Sequence, residues 1–544
     1  MRILKITLTA LIFSGLLTMS CSSPVDLAPP PVASAIRVIK IDLGQELQTM
    51  DGFGASDGWR CQFVGKNWPV EKRNAIADLL FSKEIDAAGN PKGIGLSIWR
   101  FYVGAGSAEQ GSNSNIYDEW RRTECFQKPD GTYDWTKQAG QRWFLQAAKS
   151  RGVDKFMAFT VSPPVQMTLN GKAFSPQKLN MNIKAGMLPD YANFLVETID
   201  NLQRNEGITF DYLSPINEPQ WDWMAGSNGQ QSQEGTPATN QEMYDFTKLL
   251  SDKLKAKSLK TEIVLGEAAQ LNYLYENVNG ENRDDQINAF FGGSSSTNIS
   301  QLPNVKKVIS GHSYFTSWPI NDMISYREKL NSRVKQMGGL KYWQTEYSIL
   351  ESGINEIPGG SGNQRDLGIK SALFVARTIH NDIAVANASS WQWWTALTRA
   401  DYKDGLIYLD DGTNNGSTSN SEYCKNDGYY HDSKLLWAFG NYSLFVRPGM
   451  VRLEIPNQNA VLASTDVMLT AYKDTAKKKL VIVAINYSDT PRSYKLDLSS
   501  ALKNDELTPY ITSENSNLKK GNVVKSTNFE IPSRSIVTYV GELK

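Results

Sequence analysis

Histidine is scarce in this chain. His312, His380 and His431 are the only three in 544 residues, and together with four cysteines they form no Cys-x-x-Cys or His-x-x-x-His spacing. A structural zinc site is therefore not expected. Charge of either sign in excess is also missing: 57 basic residues balance 57 acidic ones, and no basic run is placed to track phosphates. Nucleic acid is accordingly not an expected partner. With Cys21 set aside, Cys61, Cys125 and Cys424 permit at most one disulfide, and a chain that is 40% hydrophobic can build its core without one.

What is present begins with a targeting segment. Arg2 and Lys5 precede an apolar stretch from Ile6 to Met19 that is too short to span a bilayer comfortably, the pattern of a secretory signal. Its end, Leu17-Thr-Met-Ser-Cys21, resembles a bacterial lipoprotein signal with Cys21 as the lipidated residue, although Thr18 stands where leucine is usual. The expectation is an exported protein, held by lipid to a bacterial outer membrane or periplasmic, and touching membrane through that anchor only. Ordinary cleavage near the same site is the alternative. On this reading residues 1–21 are the signal and the proline- and serine-rich 22–36 a flexible tether.

Residues 37–50 open with Arg37-Val-Ile-Lys-Ile-Asp-Leu43, an alternating strand expected to join a β side domain. From 51 to 440 short apolar runs alternate with amphipathic helices. The runs are Asp51 to Trp59, Leu96 to Val103, Lys155 to Ser162, Tyr212 to Ile216, Glu262 to Gly266, Val305 to Tyr314, Tyr342 to Tyr347 and Ala388 to Thr395. Between them, Pro189 to Leu202 places Ala192, Leu195, Val196, Ile199 and Leu202 on one helical face, and Thr239-Asn-Gln-Glu242 is a capping-box pattern. About eight such units over roughly 390 residues predict an α/β fold, a (β/α)8 TIM barrel. Residues 441–544 change to short strands separated by turns, which predicts a C-terminal antiparallel β-sandwich side domain.

Two barrel strands end in glutamate beside aromatics: Leu213-Ser-Pro-Ile-Asn-Glu218-Pro-Gln-Trp-Asp-Trp223 and Trp343-Gln-Thr-Glu346-Tyr-Ser348. By count these are strands four and seven, which can face each other across the C-terminal mouth of a barrel. Glycosidic hydrolysis needs such a pair, one carboxyl to protonate the leaving oxygen and one carboxylate to meet the oxocarbenium-like carbon, about 5–5.5 Å apart in retaining enzymes. Glu218, close to another carboxylate, is suited to be the acid. Glu346, with Arg100 as a cationic neighbour, is suited to attack. Trp221 and the Trp391-Gln-Trp-Trp394 cluster offer apolar faces and N–H groups to a sugar.

Other readings compete. Gly54-Ala-Ser-Asp-Gly58 satisfies the G-x-S-x-G pattern of a serine elbow, but no helix-start signal follows it. A lipid-anchored glycan-binding protein without catalysis would use the same aromatics. The loop from Asp401 to Tyr430 is either a cover for the mouth or a mobile surface loop. His380 reads as a helix residue, and His431 stands beside a helix cap.

The motifs Met50-Asp-Gly-Phe-Gly-Ala-Ser56, Trp99-Arg100, Asn217-Glu218-Pro219, Gly311-His-Ser-Tyr314, Trp343-Gln-Thr-Glu346 and Trp391 to Trp394 together resemble glycoside hydrolase family 30, within a clan of retaining (β/α)8 glycosidases. Phe445-Val-Arg-Pro-Gly449 and Val483-Ala-Ile-Asn-Tyr487 extend the likeness into the tail. The resemblance implies Glu218 as acid/base, Glu346 as nucleophile, Asn217 at the sugar 2-hydroxyl, Arg100 and Tyr314 against the nucleophile, His312 at strand six, and Trp394 in the floor of the sugar site. It implies no cofactor, no metal, a carbohydrate substrate and a monomer. Ser162-Pro-Pro-Val-Gln-Met-Thr-Leu-Asn170 lacks the tryptophan that many relatives carry after strand three, and with Val103-Gly-Ala-Gly106 and Tyr133-Asp-Trp135 it looks most like the endo-β-1,6-galactanase branch. Other family specificities (β-1,6-glucanase, β-xylosidase or xylanase, β-fucosidase) remain open at this point.

Overall fold

The computed structural model describes residues 36–278, 280–413, 420–456, 458–498 and 501–544. The signal segment, Cys21 and nearly all of the tether lie outside the described residues. Eight parallel strands close into a barrel: β1 (Gly52–Ser56), β2 (Ile98–Tyr102), β3 (Lys155–Phe159), β4 (Tyr212–Ser214), β5 (Glu262–Ala268), β6 (Val305–His312), β7 (Lys341–Glu346) and β8 (Ala388–Trp393), with Ser390 of β8 in register with Gly52 of β1. The strands are buried on both faces, which is why they read as apolar runs rather than as alternation.

Two helices show how local sequence sets the frame. Helix α1 (Leu188–Glu206) buries Tyr191, Leu195, Val196, Ile199 and Leu202 on one face, runs one turn beyond the predicted end, and stops at Gly207, whose φ of 65° closes the C-terminus. Helix α2 (Asn240–Ala256) begins with the predicted capping box: the Thr239 side chain accepts from the Glu242 N–H, and the Glu242 carboxylate accepts from the Thr239 N–H.

Beside the barrel lies a large antiparallel sheet whose strand order is Ser516–Lys520, Glu506–Ser513, Ser535–Glu542, Lys479–Asn486, Val467–Asp474, Val451–Leu453 and Glu46–Thr49. Its central strand has two apolar faces. Leu480, Ile482 and Ala484 enter the core of the side domain, while Val481, Val483 and Ile485 join the core of the barrel helices. A small second sheet covers the far face and departs from the antiparallel expectation: Arg37–Lys40 pairs in parallel with Arg492–Asp497, which pairs antiparallel with Phe529–Ile531. Helices α3 (Ile369–Ala384) and α4 (Lys434–Ser443) are buried between barrel and sheet, so residue 440 falls inside a helix. Cys61, Cys125 and Cys424 are buried and unpaired. Among the described residues no helix is long and apolar enough to cross a membrane.

Candidate active site

Past β4 the chain reaches Asn217 and Glu218, and Glu218 adopts φ of 46°, a left-handed conformation unusual for a non-glycine residue. Three bonds hold it there: its N–H donates to the Glu267 carbonyl (2.9 Å), and its own carbonyl accepts from Trp221 N–H (3.2 Å) and Trp223 Nε1 (3.0 Å). Glu346 closes β7. A side-chain oxygen of Glu218, one of Glu346 and a ring nitrogen of His312 all lie within 4.8 Å of one another. Both glutamates line a hollow of about 480 Å³ at the C-terminal ends of the strands.

Each carboxylate has its own company. Arg100, fully buried on β2, donates through Nη1 to Glu346 Oε2 (2.5 Å) and through Nη2 to Glu267 Oε2 (2.8 Å) and Asn217 Oδ1 (3.3 Å). Tyr314 donates its hydroxyl to Glu346 Oε1 at 3.1 Å. Both oxygens of Glu346 are thereby oriented. Asn217 spends its amide oxygen on Arg100, which leaves its NH2 to offer a sugar. His312 bridges two acids, with Nδ1 2.9 Å from Glu218 Oε1 and Nε2 2.9 Å from Glu267 Oε2.

Glu267 is the residue that sequence reasoning missed. The apolar run that sequence shows for β5 ends at Gly266, one position short of a third buried carboxylate. Gly266 itself takes φ of 126°, and a Cβ there would lie 2.4 Å from the Ser310 carbonyl. Only glycine lets β5 lie this close to β6 and turn Glu267 (φ 45°) inward.

Burial raises the pKa of Glu218 and Glu267 alike, and what separates the two is the charged neighbours each has. Removal from water is the main cause raising the Glu218 pKa; His312 opposes it, and the Glu346 charge adds a smaller push upward. Burial also opposes ionisation of Glu267, but the Arg100 charge and the His312 bond outweigh it and lower its pKa. For His312 burial favours the neutral ring, yet Glu346, Glu218 and Glu267 together lift it to about 10. Burial, then the Glu346 charge, raises Tyr314 well above its usual range, so it serves as a neutral donor. Glu218, His312 and Glu346 also have the spacing of a cation site, but both ring nitrogens of His312 already face carboxylates, which fits proton sharing rather than metal ligation.

Of the predicted aromatics, Trp394 lines the hollow, as does Trp221, which meets Tyr273 edge-on at 6.3 Å. Trp391 does not. It is fully buried, donates Nε1 to Asp382 of α3 at 2.8 Å and packs on Phe439 of α4 at 5.5 Å. Side chains alternate along a strand, so Trp391 and Trp393 face the helix layer, and the expected platform of three indoles reduces to Trp394. Sequence reasoning also missed Trp59, which meets Trp394 edge-on at 4.9 Å. Asp51 to Trp59 reads as the first barrel strand and Gly54 to Gly58 as a serine elbow, and neither reading singles out the Trp59 indole. A helix, Cys61–Asn67, does follow Ser56, but the Ser56 hydroxyl accepts from the Gly58 N–H of its own turn (3.2 Å). His312 is held by acids, and His380 and His431 line no part of the hollow, so the serine has no base there.

The model of O-glycosyl hydrolase family 30 matches residues 36–408. The chain belongs to this family. An endo-β-1,6-galactanase of Hypocrea rufa is 23% identical over 483 residues, which cover 86% of this chain and 85% of that protein. A conserved exported protein from Bacteroides fragilis superposes with a TM-score of 0.86 at 36% identity, covering 93% of this chain and 100% of the other. The catalytic domain of xylanase C from Talaromyces cellulolyticus superposes with a TM-score of 0.63 at 22% identity, covering 93% of this chain and 100% of that one, a likeness of fold alone.

In this family 30 glycoside hydrolase the segment after β8 builds part of the mouth. Leu397–Thr398, Ile407–Asp410 and Tyr429–Asp432 form a small sheet, and Asp401, Tyr402 and Asp404 line the hollow. This part of the loop expected over 401–430 is a wall of the site; its stretch 414–419 lies outside the described residues. His431 lies 3.1 Å from Asp410, and Ser433 beside it caps α4.

Proposed function

We propose that this glycoside hydrolase is a retaining endo-β-1,6-galactanase in which Glu218 is the acid/base and Glu346 the nucleophile. The observation that carries the reading is the 4.8 Å limit on the approach of the two side chains across one hollow. Retaining enzymes hold their carboxyls about 5–5.5 Å apart, whereas inverting ones need about 6.5–9.5 Å to seat a water in line. In the first step the Glu346 carboxylate bonds to the anomeric carbon, the glycosidic bond breaks, and Glu218 gives its proton to the leaving oxygen. In the second, the Glu218 carboxylate takes a proton from water, which attacks the same carbon and releases Glu346. His312, bonded to Glu218, stabilises the carboxylate that appears between the steps. Arg100 and Tyr314 keep Glu346 aimed throughout.

The galactan specificity rests on two supports. The curated relative from Hypocrea rufa bears that activity. At the end of β3 the hollow is lined by Phe159 and Val161 with no indole, and the lower wall suits a sugar whose 4-hydroxyl is axial. Incubation with β-1,6-galactan, β-1,6-glucan and xylan tests the reading. Oligosaccharide release from the galactan is expected, and turnover of glucan or xylan with the galactan untouched overturns it.

A further inference from the structure

The hollow holds a second group of polar side chains that the two-carboxylate mechanism does not use. The Asp404 carboxylate is 6% exposed, and its Oδ1 has no hydrogen-bond partner. Its main-chain carbonyl accepts from Thr395 N–H (2.6 Å) and Trp393 Nε1 (3.0 Å), which ties the residue to the end of β8 and fixes where its side chain starts. Trp59, 4% exposed, lines the same hollow with Nε1 unpartnered. Two guanidiniums flank its ring, Arg60 at 5.5 Å and Arg121 at 4.9 Å from the centroid. Arg60 is buried, has Nε and Nη1 unpartnered, and reaches Asp118 only at 3.8 Å.

Buried polar groups are almost always hydrogen-bonded, and a carboxylate without a partner is among the most unfavourable exceptions. Here an anionic acceptor and an indole donor are left open on one cavity, with the Arg121 guanidinium on its wall and that of Arg60 against the Trp59 ring. A sugar hydroxyl is complementary to that set, because it donates one proton and accepts others. A second carboxylate or phosphate would meet repulsion from Asp404, and an ammonium group would meet it from Arg60 and Arg121.

We propose that Asp404 and Trp59 form the hydroxyl-reading contact that selects the sugar ring held between Glu218 and Glu346, an assignment that rests on the glycosidase roles given to that pair. Arg60 and Arg121 are positioning residues: they hold the Trp59 ring and balance the Asp404 charge. A site built to hydrogen-bond a hydroxyl discriminates strongly against a ring that lacks it, since its own groups are then left buried and unpaired.

The test uses 2,4-dinitrophenyl 2-deoxy-2-fluoro-β-D-galactoside, which traps a retaining nucleophile through the sugar ring alone, its gluco-configured counterpart, and the 3-, 4- and 6-deoxy derivatives. In the full enzyme the parent probe is expected to label Glu346, and Asp404→Ala to slow labelling roughly 100-fold. One deoxy derivative should be slowed by a similar factor on wild type and show no added loss on Asp404→Ala. Trp59→Phe, which keeps a ring but removes the N–H, should lose part of the same discrimination. Labelling of Asp404→Ala as fast as wild type, or slower labelling with hydroxyl discrimination unchanged, overturns the assignment. If only the gluco-configured probe labels the wild type, the galactan specificity falls and the same comparison on gluco derivatives decides Asp404. If neither probe labels Glu346, both readings fall together.

Discussion

Glu218 and Glu346 enter one cavity from β4 and β7, and what distinguishes them is the set of groups each touches. Glu346 is gripped by a guanidinium and a phenol, Glu218 by an imidazole that shares itself with Glu267. Glu218→Gln should abolish polysaccharide cleavage yet still form a glycosyl-enzyme from a dinitrophenyl glycoside, whose leaving group needs no proton; added azide should then restore turnover, read as glycosyl azide formation. Glu267→Gln gives a signed pH prediction. The Glu267 charge helps keep His312 protonated, and the imidazolium lowers the Glu218 pKa. Removing the Glu267 charge weakens that opposition, so the Glu218 pKa rises and the alkaline limb of the kcat/KM profile moves to higher pH. An alkaline limb displaced to lower pH would contradict it. That Glu218 and Glu346 would share one mouth was legible in sequence because each glutamate ends an apolar run beside aromatics. Glu267 was not, since nothing local separates a strand-end glutamate aimed inward from a solvated one. Trp391 misled for the complementary reason: only the pleat decides which indole of a cluster faces the sugar.

At the scale of elements, amphipathic helices with strong caps and doubly buried strands announced themselves through period and composition. The helix at Cys61–Asn67, which has no side-chain cap, and the partly exposed strands Glu506–Ser513 and Ser516–Lys520 did not. Their stability comes from tertiary packing and pairing rather than from local signals. The β5–β6 contact is the element-level feature nearest the chemistry. Gly266→Ala should lower stability by about 1–3 kcal/mol in urea unfolding and reduce kcat more than it raises KM, because the added Cβ displaces the turn that aims Glu267. Unchanged stability and activity would show that β5 tolerates the side chain without moving.

Across the whole molecule the barrel and the β-sheet share one buried layer. Val481, Val483 and Ile485 of the sheet and the helices α3 and α4 belong to one apolar cluster, so the side domain covers surface that the barrel cannot leave in water. A chain cut to residues 36–440 is expected to lose the cooperative melting transition of the full protein; a soluble, cooperatively melting barrel would contradict this. The expected boundary after residue 440 followed a change of period, but the sequence could not reveal that the last helix before that change packs on both parts.

The close approach of Glu218 and Glu346 fits direct attack by a carboxylate rather than by a water in line with the bond to be broken, and the stereochemistry of the first product tests this directly. Proton NMR during the first minutes of hydrolysis of β-1,6-galactan should show the β-anomer appearing first and then mutarotating. Initial release of the α-anomer would mean single displacement by water, and the roles given to the two glutamates would be wrong.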